Sequence, residues 1–384
     1  MTKKAQGINT ICTHAGELED EQFKGAVSPL YMATSYAFEE VEVKRYPRYF
    51  NTPNQVALAQ KMAALEHGEA ALIFGSGMAA VSNSLLAFLQ NGDHVVLQNT
   101  LYGGTINLVT EEFDKFGIGY SFTKDSKPAS FEAEIKKNTK VIYIETPSNP
   151  LLTITDLKAI AGIAEKHGLV SMIDNTFASP VNQNPIDFGI DLVIHSATKY
   201  MGGHSDILAG TVISSEDYID KVFHLAKNFG GSLSDYTVWL LERSIKTMGI
   251  RVKAQSENAL ALAEFLEKHP DVDRVYYPGL KSHPEHSLAS SQMKAFGGML
   301  SFELKQDLDA VHFRKALKLI KPSMSLAGVE STILSPAKTS HGLMSAEKRE
   351  KLGIKDGLLR FSVGIEEKED LIADIEQALE KIKK

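Results

Sequence analysis

The chain has 384 residues, with 41 Lys plus Arg against 48 Asp plus Glu for a formal charge of −7, and 43% hydrophobic against 23% charged residues. That length admits two or three domains and a full core, and the balance is that of a soluble globular protein rather than a disordered or membrane one. The charge carries no basic run dense enough for a nucleic-acid partner, no apolar stretch nears a membrane span, and a single cysteine, Cys12, supplies neither a disulfide nor a multi-thiolate metal site.

Residues 1–48 show little sustained periodicity and lead into the aromatic, basic cluster Lys44-Arg45-Tyr46-Pro47-Arg48-Tyr49-Phe50, which predicts an arm rather than a domain. The first seven residues hold lysines with no apolar run behind them, so the cytoplasm is the expected compartment. A helix is predicted over 55–67, closed by Gly68. Short apolar runs then alternate with longer amphipathic stretches: 70–74, 94–97, 119–122, 141–144, 170–173, 192–194 and 211–213. That alternation predicts an α/β fold with a mostly parallel sheet, covered by helices on both faces, over 49–246. From 247 the pattern changes to a long helix over 252–268, strands at 298–303 and 358–363, a helix over 308–319 and a closing helix over 367–383. This predicts a smaller α+β domain over 247–384.

Open α/β sheets bind ligands beyond the carboxyl ends of their strands, so the residues after each apolar run are read first. The run 70–74 is followed by Gly75-Ser76-Gly77-Met78-Ala79-Ala80. These letters fit a dinucleotide fingerprint, but the acidic residue expected after the next strand is replaced by Gln98 and Asn99. What remains is a glycine turn at a helix start, whose amides and dipole suit a single phosphate. The run 170–173 ends in Asp174, a position that an isolated aspartate also takes as a cap or turn former. The run 192–194 leads to Ser196, Thr198 and Lys199, where burial would depress the amine's pKa and make it nucleophilic. His204-Ser205-Asp206 is too contiguous for a catalytic relay, and His283-Pro284-Glu285-His286 has the wrong spacing for a zinc helix, so no metal site is expected. A phosphate cradle, a carboxylate, an aromatic at Tyr102 and a lysine together form the set that pyridoxal phosphate requires.

On these residues the chain resembles the Cys/Met-metabolism family of pyridoxal-phosphate enzymes, which includes cystathionine γ-synthase, cystathionine β- and γ-lyases and methionine γ-lyase. The strongest block is Asp191-Leu192-Val193-Ile194-His195-Ser196-Ala197-Thr198-Lys199-Tyr200 through Gly203-His204-Ser205-Asp206. Further matches are Tyr46-x-Arg48, Gly75-Ser76-Gly77-Met78, Leu101-Tyr102-Gly103-Gly104-Thr105, Glu145-Thr146-Pro147-Ser148-Asn149-Pro150, Ser325-Leu326-x-Gly328-Val329-Glu330-Ser331 and Arg360 through Glu366. The resemblance implies a fold-type I architecture in which Lys199 carries the cofactor, Gly77, Met78, Ser196 and Thr198 hold its phosphate, Asp174 pairs with the pyridine nitrogen and Tyr102 stacks on the ring. It also implies that Asn149, Ser325 and Arg360 hold the substrate carboxylate or the cofactor's phenolic oxygen. By the same resemblance Tyr46 and Arg48 reach the neighbouring subunit's phosphate region, so that a dimer is the active unit and a homotetramer the usual assembly. Tyr102 or Tyr46 would assist proton transfer beside Lys199.

Three departures stand out. Pro47 lies between Tyr46 and Arg48, where the family usually has Ser; Met324 precedes Ser325, where synthases and γ-lyases commonly carry Glu; and Gly104 sits where methionine γ-lyases place Cys. The implied activity is carbon–sulfur lysis of cystathionine or a related sulfur amino acid by β- or γ-elimination. The alternative is cystathionine γ-synthase, joining an acylated homoserine to cysteine. An aminotransferase or a non-catalytic binding module on the same scaffold are the other readings to separate.

Overall fold

Thr52 shows how local sequence starts the first long helix, Pro53–Glu66, in a computed structural model that describes residues 6–339, 347, 349 and 353–383. The Thr52 hydroxyl accepts the Gln55 amide, the Gln55 side chain accepts the Thr52 amide, and Pro53 sits in the first turn, where no N–H is needed. His67 ends the helix in the left-handed region at φ 62°.

Seven strands follow: β1 Ala70–Phe74, β2 His94–Leu97, β3 Gly119–Phe122, β4 Thr139–Glu145, β5 Val170–Asp174, β6 Leu192–His195 and β7 Gly210–Ser214. Each predicted run is present, lengthened by at most two residues at an end. They form one sheet in the order β1-β7-β6-β5-β4-β2-β3. The pairs from β3 through β6 are parallel, and β7 runs antiparallel to both β1 and β6. Alternation along each strand feeds two apolar layers, Val95, Val141, Tyr143 and Ile194 on one face and Val96, Ile142, Ile144 and Val193 on the other. A sheet covered on both faces has runs that read as continuously apolar, which is why these strands were legible.

The second sheet comprises β8 Val272–Tyr276, β9 Met299–Leu304, β10 Lys321–Pro322, β11 Thr332–Leu334 and β12 Leu358–Ser362, in the order β10-β11-β12-β9-β8. Only the two central strands, β9 and β12, were anticipated. β8 is an edge strand with exposed positions, and β10 is two residues long, so neither builds a readable apolar run. The helix expected over 308–319 spans only Ala310–Ala316, because the chain beyond it bends so that the amides of Lys318, Leu319 and Ile320 are all taken by the Asp374 carboxylate. Helix Met248–Lys268 begins four residues before its expected start and joins the halves of the molecule. Met248 and Val252 pack into the core beneath the first sheet, and Ala259, Leu262 and Leu266 into that of the second. Among the described residues no helix is long and apolar enough to cross a membrane.

Candidate active site

Parallel pairing brings the carboxyl ends of β4, β5 and β6 side by side: Glu145 stands across the ladder from Asp174, and Asp174 from Ile194. The loops beyond these ends enclose a cavity of about 410 Å³. Gly77, Met78, Tyr102, Asn149, Asp174, Ser196, Thr198, Lys199, Ser325 and Arg360 all line it. Ten residues named from the sequence thus meet in one place, although they lie up to 283 positions apart.

At one wall, Ser76 caps helix Gly77–Phe88 by accepting the Ala79 amide at 3.0 Å. The first-turn amides of Gly77 and Met78 have no intrahelical acceptor by the geometry of a helix start. A Cβ on Gly77 would lie 2.8 Å from the Ser196 Cβ and 2.9 Å from its Oγ, so only glycine leaves this cradle open. Across from it, the Thr198 hydroxyl is fixed between the amide and carbonyl of Ala209.

Asp174 is buried at the strand tip, where Thr176 donates to its Oδ1 from both amide and hydroxyl. Burial raises its pKa, against the opposing pull of these hydrogen bonds, of His195 and of Lys199. A cationic partner in the cavity would therefore be favoured beside it. The Lys199 Nζ donates to the Ser325 Oγ at 3.0 Å. Burial lowers the amine's pKa and the neighbouring Arg360 adds to that, while Asp174 opposes it. The effect enlarges the neutral, nucleophilic fraction of the amine.

Ser325 holds a left-handed backbone at φ 75°, and its carbonyl accepts from the Arg360 Nη2 at 3.1 Å. The Arg360 Nη1 donates to the Asn149 Oδ1 at 3.0 Å. The buried Nε has no partner. Arg360 lines the cavity, and the planar fork of a guanidinium matches the geometry of a carboxylate. Burial disfavours the guanidinium's charge, and Glu145 is the foremost group supporting it.

Tyr46 and Arg48 do not line this cavity. Tyr46 precedes and Arg48 lies within the short 3-10 turn Pro47–Tyr49, with the Arg48 guanidinium 5.4 Å from the Tyr46 ring and 5.1 Å from that of Tyr49, and its Nη1 bonded to the Lys227 carbonyl. Pro47 occupies the first position of that turn. His204 turns to the carbonyl of Gly202 rather than into the cavity. Sequence reasoning assigned no role to Glu145 or Thr176, which also line the site. The signal for Glu145 was present: it ends a parallel strand, as Asp174 does.

These residues fit pyridoxal phosphate, as the open cradle at Gly77 and the presence of the Lys199 amine and the buried Asp174 carboxylate in one cavity indicate. Residues 9–380 match the family described as Cys/Met metabolism PLP-dependent enzyme. Cystathionine gamma-lyase of Bacillus subtilis is 45% identical over 97% of this chain and 99% of the relative. Cystathionine beta-lyase of Lactococcus lactis subsp. cremoris is 43% identical over 97% and 99%, and L-methionine gamma-lyase of Fusobacterium nucleatum subsp. polymorphum is 41% identical over the whole of both. Among solved structures, cystathionine gamma-lyase from Lactobacillus plantarum complexed with L-serine superposes with a TM-score of 0.94 at 39% identity, covering 98% of this chain and 100% of that one.

Proposed function

This chain belongs to the Cys/Met metabolism family of PLP-dependent enzymes, and from that premise we infer that it is a carbon–sulfur lyase releasing a thiol from cystathionine or a related sulfur amino acid by β- or γ-elimination. The observation that carries the reading is the meeting of a half-buried amine, a buried carboxylate and an arginine in one cavity beside a glycine turn that can cradle a phosphate. The relatives named as cystathionine and methionine lyases support the reaction class.

Gly77, Met78, Ser196 and Thr198 would hold the phosphate, Lys199 the aldehyde carbon, Asp174 the pyridine nitrogen, and Tyr102 one face of the ring. When bound, the cofactor supplies an electron sink for charge developing at the substrate Cα. Arg360 and Asn149 fix the substrate carboxylate, which sets the orientation of the Cα–H bond. The Lys199 Nζ takes that proton, helped by the burial that keeps it neutral. Ser325, within hydrogen-bond distance of Nζ, gives the amine a resting position. Tyr102 or Tyr46 passes a proton to the departing sulfur. Tyr46 and Arg48 reach the neighbouring subunit's site, with a dimer as the active unit and a tetramer as the assembly.

Incubation of the purified protein with cystathionine separates the branches. Pyruvate marks β-elimination, 2-oxobutyrate γ-elimination, and consumption of an acylhomoserine with cysteine the synthase reaction. Borohydride treatment should fix the cofactor's mass to the peptide containing Lys199, and Lys199→Ala should remove both the label and at least about 99% of turnover. A Lys199→Ala protein with full activity would overturn the reading.

A further inference from the structure

Glu145 is buried at the tip of β4 and faces the cavity, yet the chemistry above leaves it without a task. Its two oxygens are divided between two loops. Oε2 accepts the Tyr102 amide at 2.7 Å, and Oε1 accepts the Asn149 amide at 3.1 Å. The Tyr102 residue so held precedes a short helix and turns its ring into the cavity. The Asn149 residue so held presents the Oδ1 that receives the Arg360 Nη1 at 3.0 Å. One carboxylate therefore ties the loop that covers the cofactor to the clamp for the substrate. It does so beside a second carboxylate, Asp174, across the strand ladder. Two buried acids side by side are unfavourable, and burial, then Asp174, push the Glu145 carboxyl above its ordinary range, while the amides of Tyr102 and Asn149 and the Arg360 guanidinium favour the ionised form that accepts with both oxygens. A neutral side chain filling the same space would avoid that penalty, so bulk alone does not explain a carboxylate here.

We propose that Glu145 is a positioning residue that couples the placement of Tyr102 over the cofactor to the placement of Asn149 and Arg360 around the substrate carboxylate. The inference rests on the lyase reading. A carboxylate accepts from both amides at once, whereas an amide in its place must turn an NH₂ toward one of these N–H donors and lose that anchor. One loop is thereby released while side-chain volume is kept.

The test compares unaltered holoenzyme with Glu145→Gln, Glu145→Asp and Asn149→Ala, all loaded with pyridoxal phosphate. Visible circular dichroism of the bound cofactor reports the ring's asymmetric contact with Tyr102. Titration with L-alanine, which carries no group to eliminate, reports the carboxylate clamp through the change in visible absorbance. In Glu145→Gln both should move, with weaker visible dichroism and alanine affinity lower by roughly tenfold, as expected for losing a charge-assisted buried hydrogen bond. Asn149→Ala, which removes the Oδ1 that receives Arg360, should lower alanine affinity as well. Glu145→Asp, charged but one methylene shorter, should show the same double effect and serves as the test should Glu145→Gln fail to fold. Wild-type dichroism and alanine affinity in a folded Glu145 variant would overturn the coupling alone. If the unaltered chain acquires no visible cofactor band, the lyase reading falls and takes the coupling with it.

Discussion

Arg360 lines the site and holds its neighbours with two terminal nitrogens, Nη1 on the Asn149 Oδ1 and Nη2 on the Ser325 carbonyl. A lysine in its place offers one point charge that cannot reproduce the planar fork. Arg360→Lys should therefore raise the KM for cystathionine by roughly tenfold or more and change kcat less, as measured by initial rates of keto-acid release. Outside the cavity lining, His283 illustrates a titration that burdens the fold rather than the reaction. Burial, followed by His286 and Arg274, holds its pKa down to about 4 from an ordinary 6.5. Below 6.5 the unfolded chain takes up this proton while the folded one resists it. The contribution of a neutral His283 to stability is thus complete above about pH 6.5 and is lost as pH falls toward 4. His283→Gln should flatten that part of the stability-against-pH curve in urea melts at a series of pH values. An unchanged slope would show that other groups dominate.

At the scale of elements, the strand ends matter more than the strands. Asp174 was legible because it closes an apolar run, and the residues after 74 and 194 were legible for the same reason. Glu145 was quoted in its motif but left without a task, since its partners are backbone amides that no pattern of side chains reveals. The stacking loop carries a second such constraint. A Cβ on Gly104 would come within 2.6 Å of the Tyr102 ring and 2.9 Å of the Met78 Sδ, so a side chain there forces the ring to move. Gly104→Ala should weaken the visible dichroism of the bound cofactor and lower kcat/KM on cystathionine by roughly three- to tenfold, while the thermal midpoint stays within a few degrees. Unaltered dichroism would mean that the loop absorbs the methyl group without moving the ring.

Over the whole molecule, the arm is the part least explained by its own subunit. Phe23, Met32 and Phe38 are 79%, 68% and 68% exposed. Tyr46 and Arg48 stand outside the cavity of their own chain. If they complete the neighbour's site, mixing unfolded Lys199→Ala and Arg48→Ala chains and refolding them together should restore about a quarter of wild-type activity. In a mixed dimer one site then receives both an intact lysine and an intact arginine. Continued inactivity of the mixture would assign Arg48 to its own subunit.

The sequence by itself determined the doubly covered sheet, because strands buried on both faces must be apolar at every position, and it determined the lysine, carboxylate and glycine turn at the strand tips. It did not determine the short strands β10 and β11 or the early end of helix Ala310–Ala316, which depend on partners far along the chain such as Asp374. The family resemblance grouped Asn149, Ser325 and Arg360, but only the tertiary structure supplied the hydrogen bonds that join them. The Arg360–Asn149 bond joins segments 211 residues apart and exists only once the two sheets have packed, so distance in space, not order in the chain, made the site.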